Sequence, residues 1–288
     1  MFRAAGRVSL PHPTFCPMRP ILFHVGGFAI WSHPVFAGLG IAVALYFTLD
    51  VSRRASRADK GLLFLVAGGM LGAAIFARYG LVFKYFQAAD EPTLAGFLRY
   101  GGRSVLGGLV GGYLGVVLTK RFIGYKRATG DLFAPGVALG MGIGRIGCFL
   151  AERPGTVTTL PWGVRVPPDA APLVLQCPGC LTGEAMHPSF VYEMIFDFAA
   201  AWVLFRITRS GRLPAKWMVE GDVFKAFLLA YAVFRLGVEF VRGNAAMWLG
   251  MSGSQLLALI STVALGMYFV RRRAAFSDTT PGVVLSPK

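Results

Sequence analysis

The chain has 288 residues, 55% of them hydrophobic and 15% charged, with a net charge of +15 and a mean hydropathy of +0.58. That balance excludes an ordinary soluble domain and points to an all-α, polytopic integral membrane protein. The positive charge is gathered after particular apolar runs, so it reads as membrane topology and not as a nucleic-acid footprint.

Residues 1–28 carry Arg3 and Arg7, interrupted by Pro11 and Pro13, with no apolar signal-peptide core directly behind them. They are expected to form an exported arm near the outer interface. Seven runs then approach the roughly 20 residues that a helix needs to cross a bilayer: 29–49, 61–86, 102–119, 132–150, 188–207, 222–241 and 254–270. Nothing alternates for long enough to compete as a barrel strand. Basic clusters follow every odd run: Arg53, Arg54, Arg57 and Lys60, then Lys120, Arg121, Lys126 and Arg127, then Arg206, Arg209, Arg212 and Lys216, then Arg271, Arg272 and Arg273. They fall on one side, and the positive-inside rule makes that side cytoplasmic. The N-terminus is then outside and the C-terminus inside, with 29–273 as the transmembrane domain and 274–288 as a cytoplasmic tail.

Glycines in the third and fourth runs recur every four residues: Gly107, Gly111 and Gly115, then Gly108 and Gly112, then Gly136, Gly140 and Gly144. Small residues at this spacing let helix backbones approach closely in lipid. Gly142-Ile143-Gly144-Arg145-Ile146-Gly147 matches a dinucleotide-binding pattern in letters only, since it follows no strand and opens no soluble helix. The informative residue there is Arg145. An arginine inside a membrane run is a functional-site hypothesis, weighed against a structural one in which it is paired or snorkels.

An exported loop at 151–187 follows, rich in proline and holding Pro161-Trp162 and Cys177-Pro178-Gly179-Cys180. It is expected to cap whatever the bundle binds. A local disulfide leads for the C-x-x-C pair in an oxidising compartment, ahead of two free thiols and of a metal site lacking further ligands. Cys148 reads as a small buried thiol beside Arg145. In the fifth run Glu193 and Asp197 lie four residues apart, and are expected to partner basic groups such as Lys225 or Arg235. In the sixth, Arg235 and Glu239 share a helix face at the same spacing.

These residues resemble the prolipoprotein diacylglyceryl transferase family. The likeness spans about residues 28 to 270 through ordered pieces: Gly102-Arg103-Ser104 with Gly107-Gly108, Gly144-Arg145-Ile146-Gly147 with Phe149, Pro161-Trp162-Gly163-Val164, His187-Pro188-Ser189 with Tyr192-Glu193, and Arg235 through Glu239 to Arg242. The family signature reads Gly-Arg-x-Gly-Asn-Phe-x-Asn-x-Glu-x-x-Gly. Here Cys148 and Ala151 replace the asparagines, and Glu152 and Gly155 fit after a one-residue deletion. Leu106 stands where the family carries a histidine, and Ser32-His33-Pro34 where it carries a tyrosine. The phosphate-facing half of the motif is kept and the proton-handling half is altered, as in a divergent member.

The resemblance implies a seven-span bundle in a bacterial inner membrane with its site near the outer leaflet. The reaction it implies moves diacylglyceryl from phosphatidylglycerol to the lipobox cysteine of an exported prolipoprotein. Arg145 and Arg235 are the expected phosphate clamps, and Glu239 orients Arg235. Arg103, Arg242, Gly144, Gly107 and Gly108 join them in substrate binding. With Leu106 unable to take a proton, His33, His187 and Glu152 are the candidate bases. Without a base, a thiol of pKa about 8.5 loses roughly 30-fold in rate near neutral pH, about 2 kcal/mol. No metal or nucleotide cofactor is expected. The rival readings are a lipid-binding member with another acceptor or no catalysis, and a lipid transporter.

Overall fold

The structure is a computed structural model that describes residues 18–79, 104–171, 177–244 and 250–279. Among the described residues, seven long helices follow the seven apolar runs: α1 Ser32–Arg54, α2 Lys60–Tyr79, α3 Val105–Ile123, α4 Gly130–Ala151, α6 Ser189–Ser210, α7 Asp222–Arg242 and α8 Gly253–Thr279, with a short α5 at Pro178–Leu181. Five of them (α1, α2, α3, α4 and α8) are long and apolar enough to cross a membrane. The other two have ionisable groups spread along them, Glu193 and Asp197 in α6 and Lys225, Arg235 and Glu239 in α7. α8 continues past the expected seventh run and takes in Arg271–Arg273, because arginine propagates a helix readily once lipid no longer penalises its charge.

Helix ends are set by local chemistry. Ser104 caps α3, its hydroxyl accepting from the Gly107 amide at 3.1 Å, which gives that serine of the Gly-Arg-Ser motif a structural role. Ser252 and Gln255 form a reciprocal capping box at the start of α8. Before α1 the chain turns through an antiparallel hairpin, β1 Ile21–Val25 with β2 Phe28–Trp31. Its two-residue turn is Gly26-Gly27, both at positive φ (+53° and +85°) as a tight hairpin of this kind requires.

By its contacts the chain forms two compact units. One takes residues up to Ile41, Gly140–Asp197 and Val241–Gly243; the other takes Ala42–Leu139, Phe198–Phe240 and residues from Asn244 on.

In the second unit α2 and α3 meet along a glycine seam. A Cβ on Gly72 would lie 2.2 Å from the Gly111 carbonyl oxygen, one on Gly115 2.2 Å from that of Gly68, and one on Gly111 2.3 Å from Phe76 Cβ. The four-residue spacing expected for packing is therefore matched on α2 by Gly68 and Gly72. Gly108 is different, its nearest neighbours being Ala77 Cβ and Ala73 O at 3.6 and 3.8 Å. Gly111→Ala is expected to destabilise the protein by about 1–3 kcal/mol through overpacking, whereas Gly108→Ala should melt with the wild type in detergent micelles. Equal melting of the two variants would sink the seam.

The same unit ties together three loops that carry basic clusters. Arg57, after α1, donates to the Ala128 carbonyl at 3.1 Å, after α3, and meets Glu220 at 2.8 Å, after α6. The Arg57 guanidinium holds the Glu220 carboxyl below its ordinary range, and Glu220 raises Arg57 in return. The ends of the first, third and fifth runs thus lie on one side, as the charge pattern requires.

In the first unit the long loop packs on a core of its own. Met18, Val164, Val166, Ala170, Ala171, Cys177, Cys180 and Met186 are buried together, with Phe149 against them. Cys177 and Cys180 are joined as a disulfide, the leading expectation for that pair.

Candidate active site

The first unit assembles its charges from four elements. On α4, Arg145 and Cys148 sit three residues apart, and the Glu152 amide still bonds the Cys148 carbonyl at 2.7 Å, so all three share one face. His33 enters from the first turn of α1. It comes close because Gly147 has no side chain: a Cβ there would lie 3.0 Å from His33 Cα. The Ser32 hydroxyl and amide both donate to the Pro20 carbonyl, which fixes the start of α1. Glu193 comes from the first turns of α6, and Arg242 from the last turn of α7.

Glu193 is fully buried and stands between two guanidiniums. One of its carboxylate oxygens pairs with Arg145 Nη2, and the other accepts from Arg242 Nη1 at 3.1 Å. Phe190, one turn earlier on α6, lies beneath both, its ring centroid 6.0 Å from the Arg145 guanidinium carbon and 4.2 Å from that of Arg242. Arg242 also approaches Glu152 at 3.6 Å. The other Glu152 oxygen faces His33 Nδ1 at 3.2 Å. The same nitrogen lies 3.5 Å from Cys148 Sγ, toward which Arg145 Nη1 points at 4.0 Å. His33 and Glu152 are 30% and 40% exposed while Cys148 is buried. The cluster therefore has a closed arginine side and an open histidine side.

The loop after α4 holds Arg242 in place. Thr156 N donates to the Val241 carbonyl at 2.7 Å, and Arg153 donates to the carbonyls of Arg242 and Gly243. Gly155 makes this approach possible, since a Cβ there would fall 2.1 Å from the Val241 oxygen. The final glycine of the signature has a packing reason. His187 lies in the same loop with Nδ1 3.2 Å from Tyr192 Oη, which also accepts from Trp162 Nε1 at 2.8 Å. That links Pro161-Trp162, His187 and Tyr192 into one group.

Arg235 and Glu239 pair in the second unit at 2.5 Å, as their spacing on α7 predicts. Glu239 is held further by Ser252 Oγ at 2.8 Å and Asn244 Nδ2 at 2.5 Å. Both partners are additions that the sequence reading missed, although Ser252-x-x-Gln255 is a legible cap. Gly107 lies in the seam, a Cβ there meeting the Phe76 carbonyl at 2.6 Å, and Gly108 faces Ala73 and Ala77. Among the described residues, nothing lies within 4 Å of where a Cβ on Gly144 would stand. Arg103 lies outside the described residues. Leu106 is buried, 2% exposed.

The expectation that Glu193 partners basic groups from neighbouring helices is met by Arg145 and Arg242, while Lys225 pairs with Asp222 and Tyr268. Spacing along one helix cannot reveal which neighbouring helix supplies the countercharge.

Fold and site together define a polytopic helical membrane protein that buries an arginine–carboxylate network within its helices. Residues 20–271 match the prolipoprotein diacylglyceryl transferase family. The chain is 31% identical over 263 residues to a phosphatidylglycerol–prolipoprotein diacylglyceryl transferase of Gloeobacter violaceus, covering 89% of this chain and 94% of the relative. It is 30% identical to proteins of the same name from Clostridium tetani, at 87% and 96% coverage, and Pseudoalteromonas atlantica, at 93% and 95%. The chain belongs to the prolipoprotein diacylglyceryl transferase family, a family of membrane transferases.

Proposed function

We propose that this protein transfers the diacylglyceryl group of phosphatidylglycerol to the lipobox cysteine of exported prolipoproteins, at the outer leaflet of a bacterial inner membrane. In this reading all seven long helices span the bilayer, the N-terminus is outside, and the loop 151–187 covers the site. The carrying observation is the buried Arg145–Glu193–Arg242 network, which opens onto the half-exposed His33 and Glu152. A guanidinium has five donors in a planar fork, so it can hold a carboxylate on one edge and a phosphate on another. Arg145 binds the lipid phosphate with Arg242 beside it, Gly144 leaves room for the headgroup, and Arg103 serves as a further headgroup-binding residue. Arg235, oriented by Glu239, is a further headgroup-binding residue. Gly107 serves through the packing of α3, whereas Gly108 has room for a methyl group there and is not needed for it.

The acceptor sulfur attacks the glyceryl carbon, a C–S bond forms, the C–O bond to phosphate breaks, and glycerol phosphate leaves with the electron pair. Negative charge grows on the phosphate oxygens, where a fixed guanidinium stabilises it most. His33 is the favoured proton-handling group because it faces both Glu152 and Cys148; His187, bonded to Tyr192, is the second.

The deciding experiment uses purified protein, labelled phosphatidylglycerol and a lipobox-cysteine peptide. Label should move to the peptide as a thioether and stay with the lipid in Arg145→Ala. A second reading, a lipid-binding member with another acceptor, draws on the burial of Leu106 at the family's histidine position. Folded protein that binds phosphatidylglycerol without labelling the peptide would favour it.

A further inference from the structure

His33, Cys148 and Glu152, of which the transfer reaction as written above uses only His33, form a cluster of ligand-bearing side chains. Each offers one ligand atom, and the three atoms lie within 4.8 Å of one another. Zinc sites place imidazole nitrogen, thiolate sulfur and carboxylate oxygen about 2.0–2.3 Å from the metal, so tetrahedral ligand atoms stand about 3.4–3.6 Å apart. Here Nδ1 to Sγ is 3.5 Å and Nδ1 to the Glu152 oxygen is 3.2 Å. Two of the three edges of a tetrahedral face are already near that spacing, and all three atoms lie within 4.8 Å of one another. One soft thiolate, one imidazole and one carboxylate select a borderline ion such as Zn²⁺ over Mg²⁺ or Ca²⁺, which favour all-oxygen sites.

The surroundings complete the argument. Arg242 touches the second Glu152 oxygen at 3.6 Å and so fixes which oxygen turns inward. Arg145 lies 4.0 Å from the sulfur, on the side where a thiolate gains from positive charge. Cys148 is buried, but His33 and Glu152 are 30% and 40% exposed. The fourth vertex thus faces open space, as in zinc sites that bind a reactant.

We propose that His33, Cys148 and Glu152 bind one zinc ion, whose fourth position takes the thiol of the acceptor cysteine. This deepens the transferase reading, rests on it, and gives His33 the role of ligand in place of proton acceptor. A thiol that coordinates zinc is deprotonated outright, so its proton passes to water at the open face. The sulfur then attacks the glyceryl carbon. The C–S bond forms as the C–O bond to phosphate breaks, and glycerol phosphate leaves as the dianion. Zinc neither gains nor loses an electron. The roughly 30-fold handicap of an unionised thiol at neutral pH disappears.

The test is metal content, read separately from transfer. Full-length protein purified in detergent without chelators, or dialysed after incubation with zinc, should hold about one zinc per chain. Cys148→Ala and His33→Ala should hold less than a tenth of that while melting as folded protein. Cobalt exchanged into otherwise wild-type protein should show a thiolate-to-cobalt charge-transfer band, and Cys16→Ser should keep it; this arm stands if Cys148→Ala fails to fold. Stripping the zinc should slow transfer about 30-fold, and adding it back should restore the rate. Zinc-free wild type after incubation, or undiminished zinc in folded Cys148→Ala, would overturn the site. Full transfer by stripped protein would overturn it too and leave the transferase reading intact. Bound zinc without any transfer would support the metal site and overturn the transferase reading.

Discussion

Glu193→Ala is expected to destabilise the protein by about 3–5 kcal/mol, the range for breaking a buried ion pair by removing one partner. Glu193 is fully buried and holds Arg145 and Arg242 at once. Without it, both guanidiniums lose a buried countercharge, and the Glu152 carboxylate that also approaches Arg242 is 40% exposed and 3.6 Å away. Glu193→Gln keeps volume and an acceptor oxygen but not charge, so it should fall between alanine and wild type. Thermal unfolding in detergent micelles at fixed lipid content reads the difference. A Glu193→Ala protein that melts with the wild type would show that the arginines do not depend on this carboxylate.

Arg145→Ala should lower transfer by about 10²–10³-fold, the usual loss when one preorganised donor to a developing anion is removed. Arg145→Lys restores the charge but not the planar fork. It should remain roughly 10–100-fold below wild type, the loss expected for one charge-assisted hydrogen bond. Its stability should suffer less than that of Glu193→Ala, because Glu193 keeps Arg242 when Arg145 is shortened. The two sites are thereby separable, one read mainly by melting and the other mainly by rate. Full activity in both Arg145 variants would remove the residue from the chemistry.

Much of the fold was legible because lipid imposes a simple code. Seven apolar runs became seven long helices with ends shifted by up to nine residues, and glycines at four-residue spacing became a seam. Arg235–Glu239 was legible for the same reason, being a pair within one helix. The Arg145–Glu193–Arg242 network was not, because its members come from α4, α6 and α7 and no local spacing relates them. His33 reaches Cys148 across 115 residues of sequence, through a contact that the missing side chain of Gly147 permits. The N-terminal hairpin was overlooked although Gly26-Gly27 between two short apolar stretches is a local turn signal. Hydropathy had absorbed those residues into an arm.

The glycine seam also constrains where a phospholipid can put its tails. Along α2 and α3 the backbones approach so closely that one added methyl at Gly72 would meet a carbonyl oxygen at 2.2 Å. An acyl chain is wider than a methyl group along its whole length, so neither fatty chain can thread between these two helices. In the proposed reaction, phospholipid therefore reaches the site along helix faces other than this seam.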